Sequence, residues 1–372
     1  MALTEELGYW VGFSRVSGIG PVRLRALLDH FGNLQAAWEA SPATLRALGF
    51  DQRTIESFLS TRQRLNLAAE LERLAAANVQ VLTWNSPDYP TLLKSIPSPP
   101  PVLYLRGQLL PRDEWALGVV GTRRASVYGR EATHSLVQGL AASGVTIVSG
   151  LAYGIDTYAH QAALQAGGRT LAVLGCGVDI IYPAENRKLA EAIVNNGALI
   201  SEYPLGTQPE SRNFPPRNRI ISGLSLGVLV VEGSRQSGAM ITAAYAIEQG
   251  REVFAVPGNI LSRNSAGPSW LIQQGAKLVT SVGDILEELN LAMVAEQQEA
   301  RQVIPDNETE AILLQHLSSE PIHVDELGRA VGLPISSVTS TLTLMELKGK
   351  VRQVGGMQYV IAREAGATYR LE

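Results

Sequence analysis

From Trp115 onward the chain repeats one device: a short apolar run, a turn of small residues, then a stretch with helical spacing. The runs lie at Leu117–Val120, Val145–Val148, Thr170–Leu174, Ala198–Ile200, Val228–Val231 and Glu252–Val256. Each is too short for a helix and, apart from Thr146 and from Thr170 and Glu252 at their starts, apolar, as parallel strands are when helices cover both faces of their sheet. The alternation predicts an α/β fold whose core is a Rossmann-like, doubly wound parallel sheet. Ligands of such sheets bind at the carboxyl ends of the strands. Here those ends carry Gly121-Thr122-Arg123, Ser149-Gly150-Leu151-Ala152-Tyr153-Gly154, Gly175-Cys176-Gly177 and Glu232-Gly233-Ser234-Arg235-Gln236-Ser237-Gly238. Several such turns side by side suit a ligand with repeated phosphates, although small residues also ease the packing of helix on sheet.

The first turn is the most basic. Gly121 lets backbone approach a ligand, the following helix offers its N-terminus to an anion, and Arg123 can fork onto phosphate oxygens. An ordinary strand-to-helix turn also uses glycine, so both readings of Gly121 stand. Neither the Gly-Lys-Ser/Thr of a P-loop nor a complete Gly-x-Gly-x-x-Gly is present, so the phosphate need not belong to ATP or NAD. A second basic element is Ser211-Arg212-Asn213-Phe214-Pro215-Pro216-Arg217-Asn218-Arg219. Its prolines stiffen the approach to a helix, so Arg217 and Asn218 are expected to project from the first turn, with Phe214 just outside it. Arginines beside an aromatic ring make a platform for a single strand, worth ~1–3 kcal/mol per stacked base; the competing reading makes Phe214 a hydrophobic staple. Arg219 is two residues from Arg217 and cannot share its helix face, which leaves it to pair with Glu202 or Glu232.

With 372 residues the chain is long enough for two or three domains. Residues 1–80 read as a helical domain of helix-hairpin-helix or SAM-like type. There Val16-Ser17-Gly18-Ile19-Gly20 precedes a helix started by Pro21, a turn that can offer N–H groups to a DNA phosphate, with Arg23 and Arg25 adding charge; a plain helical bundle fits the same residues. Helical spacing continues from Thr54 to Ala77, and a run of prolines from Pro87 to Pro101 breaks it. Residues 81–295 hold the Rossmann-like core. Glu296–Gln302 reads as a helix end or linker, and residues 305–365 as a winged helix: helices at Glu308–Leu317, Val324–Val331 and Ser336–Leu347, then a hairpin turning at Gly355-Gly356. Its recognition helix holds hydroxyls but no Arg or Lys, which argues against duplex reading; Lys348, Lys350 and Arg352 near the wing keep a DNA contact open.

A net charge of −4 excludes a protein that coats nucleic acid with its whole surface and leaves room for a focused basic groove. The single Cys176 excludes an intramolecular disulfide and reads as a small buried side chain. Glu5 and Glu6 stand where a signal peptide would carry basic and apolar residues, and no apolar stretch approaches the ~18 residues of a membrane helix, so the expectation is a cytoplasmic protein with no membrane partner.

Taken together, Gly121-Thr122-Arg123, Ser126-x-Tyr128-Gly129, Ser149-Gly150-x-Ala152-x-Gly154-Ile155-Asp156, Ala159-His160, Tyr182-Pro183, Ser201-Glu202-Tyr203-Pro204, Phe214-Pro215-x-Arg217-Asn218-Arg219-Ile220-Ile221, Ser237-Gly238 and Pro257-Gly258 resemble the DNA-processing protein A (DprA or Smf) family from about Tyr89 to Leu289. The resemblance implies a protein that binds single-stranded DNA entering by natural transformation, protects it and helps load the recombinase RecA. It carries a DNA-pocket role over to Arg123, Phe214 and Arg217, with Gly121, Ser126 and Asn218 as neighbours. Thr122 belongs to the same turn, and charge and position add Arg124 and Arg212. It also implies a homodimer, formed through the later core around Ser269–Leu289.

An enzyme is the rival class. Asp156 and His160 are spaced to share a helix face and could do acid–base work on a nucleotide, but Asp156 near a helix start is more often a cap. The cytokinin-activating phosphoribohydrolases have a similar Rossmann-like core, yet their Pro-Gly-Gly-x-Gly-Thr-x-x-Glu signature is absent here. No catalytic residue, cofactor or metal is therefore expected.

Overall fold

The apolar runs become the centre of one sheet. A computed structural model of the protein describes residues 2–291, 307–317, 321–348 and 350–361. It separates into two compact units, Met1–Asn290 and Leu291–Glu372.

The first unit opens with six helices: α1 (Ala2–Ser14), α2 (Pro21–Phe31), α3 (Leu34–Trp38), α4 (Pro42–Ala47), α5 (Gln52–Arg64) and α6 (Leu67–Ala76). Asn33, Ser41, Asp51 and Asn66 each cap the helix that follows by accepting a backbone N–H, and Pro21 occupies the first turn of α2. The cap at Asn66 splits the continuous helical spacing of Thr54–Ala77 into α5 and α6. Phe13, Trp38 and Phe58 close the helical core with ring centroids 5.0–5.7 Å apart.

Nine strands follow in space as β1-β2-β6-β5-β4-β3-β7-β8-β9: β1 (Gln80–Thr83), β2 (Val102–Gly107), β3 (Ala116–Val120), β4 (Thr146–Ser149), β5 (Thr170–Val173), β6 (Gly197–Ser201), β7 (Gly227–Val230), β8 (Glu252–Ala255) and β9 (Lys277–Leu278). The seven from β6 to β9 run parallel, and β1 and β2 close one edge antiparallel. All six expected strands form, each within a residue of its sequence boundaries. Crossing helices are α8 (Val127–Ala142), α9 (Ile155–Gln165), α10 (Arg187–Asn196), α11 (Phe214–Gly223), α12 (Gly238–Glu248) and α13 (Ala266–Gln273), with the single turn α7 (Thr91–Lys94) before β2 and α14 (Val282–Glu288) after β9. The chain winds outward from β3 through β4, β5 and β6, then returns to β7 on the other side of β3. That reversal is the topological switch point, and it makes the carboxyl ends of β3 and β7 the natural ligand site.

The α1–α6 helices pack onto this sheet. Trp10 meets Trp84 edge-on at 5.8 Å, and the Ser14 and Tyr104 hydroxyls are 2.7 Å apart. Arg23 is spent within the helical region, donating to Gly18 O at 2.8 Å, Thr54 Oγ1 at 2.7 Å and Asp51 at 2.6 Å. Arg25 lies over the Trp84 ring at 4.4 Å. Both arginines thus have partners inside the protein, and the bundle reading accounts for them.

In the second unit α15 (Glu308–His316), α16 (Val324–Val331) and α17 (Ile335–Leu347) pack with a three-stranded sheet of order β10-β12-β11, formed by β10 (Ile322–His323), β11 (Val351–Gly355) and β12 (Gln358–Ile361). Leu313, Leu327, Val338, Leu342 and Tyr359 form its core, and the hairpin turns at Gly355 and Gly356, both at positive φ. This is a winged helix. Two of the three cations near its wing bond a buried carboxylate: the exposed Lys348 and the more buried Lys350 reach Glu310 at 2.8 and 2.7 Å. The expected linker at residues 296–302 lies outside the described residues.

Candidate nucleic-acid interface

At the switch point the turn after β3 is wedged between its neighbours. Thr122 N–H donates to Glu232 O at 2.7 Å, and Ile155 N–H donates to Thr122 O at 3.2 Å. Gly154, at φ 76°, lies against this backbone, and a Cβ there would sit 2.3 Å from Thr122 O. Only glycine meets both demands. Gly121 is small for a similar reason: a Cβ would run into Ile155 and Glu232 O, so packing explains this glycine. The turn is therefore a fixed platform, and from it the Arg123 and Arg124 side chains reach solvent.

A cleft of about 510 Å³ opens here. Gly121, Thr122, Arg123 and Arg124 line one wall, Phe214, Arg217 and Asn218 another, and Ser237 to Thr242 at the start of α12 a third. Asn218 joins two walls by donating to Gly238 O at 3.3 Å. Phe214 is half-buried at the edge. Its ring lies 5.7 Å from Tyr182 and 6.0 Å from the Arg123 guanidinium, and rests on Gly175, where a Cβ would come within 2.9 Å of it. Those partners are from other elements, and the one on its own helix is the Arg217 guanidinium at 5.7 Å, a cation and not the apolar residue of a staple.

Arg217 departs from expectation. The helix starts at Phe214 and takes both prolines into its first turn, which rotates Arg217 under the helix rather than out of it. It is 3 % exposed. Its Nη1 donates to Gly150 O at 2.8 Å and also to Val173 O, and burial holds its pKa down to about 10. The side chain supports the cleft floor and borders the cavity without standing free at its mouth. Asp156 lies nearby and accepts the Gly150 and Ala152 N–H groups at 3.1 and 3.4 Å, while burial pushes its carboxyl up, partly opposed by Arg217.

Of the nine residues singled out, Gly121, Thr122, Arg123, Arg124, Phe214, Arg217 and Asn218 border one cleft. Ser126 and Arg212 do not. Ser126 caps α8 by accepting Gly129 N–H at 3.0 Å, and gives its own N–H and hydroxyl to the Glu232 carboxylate at 2.9 and 2.6 Å. Glu232 is 3 % exposed and sits where an anion at that helix N-terminus would sit, so the expected anion role of the α8 N-terminus is taken by the protein's own carboxylate. Arg212 is exposed and pairs with Glu210 at 2.7 Å. Arg219 pairs with Glu202 through both nitrogens, at 2.6 and 2.7 Å. Sequence reasoning gave no site role to Tyr182, Ser237 or Thr242, although Tyr182-Pro183 and Ser237-Gly238 were among the motifs.

Of the candidate acid–base pair, on one helix, Asp156 borders the cleft and His160 does not. His160 is fully buried, its Nδ1 is 2.6 Å from Thr170 Oγ1, and burial lowers its pKa to about 3. Cys176 is buried too, its thiol donating to Ile180 O at 3.1 Å and pushed up to about 11 by burial. Among the described residues no helix is long and apolar enough to cross a membrane.

The model of the DNA recombination-mediator protein A family matches residues 80–290, and that of the DprA winged helix domain matches residues 297–357. Protein Smf of Synechocystis is 39 % identical, over 95 % of this chain and 98 % of that one. DNA processing protein DprA of Bacillus subtilis is 46 % identical over 63 % of this chain and 78 % of its own length. Among solved structures, DNA processing protein A of Streptococcus pneumoniae superposes with a TM-score of 0.67 at 37 % identity, covering 76 % of this chain and 97 % of that one. A Helicobacter pylori structure, described for the single-stranded DNA binding mode of its DNA processing protein A, gives a TM-score of 0.52 at 29 % identity, over 57 % of this chain and 95 % of that one.

Proposed function

The chain belongs to the DNA recombination-mediator protein A family, and on that premise we propose that it binds single-stranded DNA, protects strands taken up in natural transformation and helps load RecA onto them. One observation carries the reading: two solvent-facing arginines on a rigid turn at the switch point, with an exposed aromatic edge across the cleft. Arg123 and Arg124 neutralise phosphates, and the Phe214 and Tyr182 rings take a base. A duplex keeps its bases stacked inside and cannot use those rings, so the single strand is preferred. The relative from Helicobacter pylori, described by its single-stranded DNA binding mode, supports the same choice. Binding rather than turnover suits the site, because His160 is held neutral in the core and Asp156 is committed to two backbone N–H groups.

The test is a titration of the full chain with labelled single-stranded and duplex oligonucleotides, with ATP present in a parallel series whose products are followed. Preference for the single strand without nucleotide turnover is the expected result. Equal affinity for duplex, or steady conversion of the nucleotide, overturns the proposal.

A further inference from the structure

On the Arg124 side of the cleft, the loop after β8 carries an apolar tip that the fold does not use. Ile260 is 91 % and Leu261 89 % exposed, more than any other large hydrophobic residue described. The tip is shaped: Leu261 N–H donates to Asn259 Oδ1 at 2.9 Å, and Ser262 N–H donates to Asn259 O at 2.9 Å. Its base is tied to the cleft wall. Asn264 Nδ2 donates to Arg124 O at 3.3 Å, Gly233 N–H to Asn264 O at 2.6 Å, and the Tyr128 hydroxyl to Pro257 O at 2.6 Å. The tip thus continues the surface on which Arg124 stands.

Charge selects what covers it. The chain is acidic overall, yet no Asp or Glu lies between Glu114 and Glu131, between Glu232 and Glu248, or between Glu252 and Asp284. Those three segments supply the loops after β3, β7 and β8, where Arg124, Arg235 and Arg263 are exposed. The loops after β5 and β6, toward Phe214, carry Asp179, Glu185 and Glu210. A polyanion leaving the cleft therefore meets least repulsion over the β8 loop. Aliphatic side chains among cations match a strand whose phosphates face the arginines and whose unpaired bases need an apolar contact, as apolar wedges provide in other nucleic-acid binders.

We propose that Ile260 and Leu261 press against the nucleobases of the strand as it leaves the cleft over Arg124. The proposal rests on the cleft being the single-strand site, and deepens that reading. The full chain, an Ile260→Ser/Leu261→Ser variant and an Arg123→Ala/Arg124→Ala variant are titrated against an oligothymidylate and an abasic oligonucleotide of the same length. The serine variant binds the oligothymidylate about tenfold more weakly and the abasic strand within about twofold of the parent, because it gives up apolar burial and keeps every phosphate partner. Its melting temperature stays that of the parent, as both side chains are outside the core. The arginine variant weakens on both strands. Equal loss on both strands in the serine variant, or no loss on either while the arginine variant still fails, overturns the base contact, and the second of these outcomes assigns the tip to a protein partner. An arginine variant that binds both strands like the parent overturns the cleft reading, and the base contact survives only if the serine variant still tells base from abasic site.

Discussion

Arg123 and Arg217 border the same cleft, yet water reaches one and not the other, and their substitutions separate accordingly. Arg123→Ala removes an exposed cation. Affinity for every single-stranded sequence falls, and the salt dependence flattens by ~0.7 log unit for the one phosphate left without its arginine. Titrations across salt concentrations check this; an unchanged slope excludes the pairing of Arg123 with a phosphate. Arg217→Ala leaves the Gly150 and Val173 carbonyls without their donor and Asp156 without the nearby positive charge. The variant loses ~1–3 kcal/mol of stability, read by urea unfolding, before any effect on DNA is considered. His160 adds a pH term. Its folded pKa of about 3 lies below the ordinary 6.5, so the stability of keeping it neutral is complete above pH 6.5 and drains as pH falls toward 3. The unfolded chain then takes up a proton that the folded one refuses, at ~1.4 kcal/mol per pH unit. Unfolding free energies of the parent and of His160→Asn, measured from pH 6.5 to 4.5, diverge in slope by that one proton; parallel curves count against it. The cationic turn around Arg123 was legible in the sequence, but the burial of Arg217 was not, because it depends on where a helix starts. Pro215 and Pro216 read as an approach, whereas the helix takes them into its first turn.

At the scale of elements, the strands that sequence located are those buried on both faces, since there the burial writes itself as an unbroken apolar run. β1 and β9 escaped notice because exposure breaks the apolar pattern at the start of β1 and covers both residues of β9, and β2 was masked by the prolines before it. The turns were legible as small-residue clusters, but what each glycine makes room for was not. Gly175 makes room for a ring. Gly175→Ala puts a methyl group 2.9 Å from Phe214 Cδ1, and the ring has to shift from its position beside Tyr182. If that ring stacks a base, at ~1–3 kcal/mol, single-strand affinity drops about tenfold while the salt slope stays as it was. Fluorescence titration of this variant beside Phe214→Ala provides the check, and full affinity in both would remove the aromatic edge from the site.

For the whole molecule, the groups assigned to DNA all lie in the unit Met1–Asn290. In the winged helix, Lys348 and Lys350 are both bonded to Glu310. A fragment ending at Asn290 is therefore expected to keep most of the single-strand affinity of the full chain at one fixed salt concentration; a large loss would return the winged helix to DNA binding. The same fragment is expected to sediment as a dimer at micromolar concentration, through the Ser269–Leu289 region, where Leu278 is 43 % exposed. Two clefts on one strand raise effective concentration, so the dimer binds more tightly than one cleft alone. A monomer of undiminished affinity would contradict that.

Glu232 gives the molecule one more property. Rossmann-type proteins commonly receive the phosphates of mononucleotides at the helix N-terminus after the first parallel strand. Here a buried carboxylate already fills that seat, held by Ser126 and fitted against Gly129, where a side chain would collide with it. A free nucleotide must displace a negative charge to enter, whereas a long strand engages the arginines outside and leaves the seat alone. The fold thereby closes that helix N-terminus to free nucleotides, and in a competition titration ATP is expected to displace DNA no better than salt of equal ionic strength.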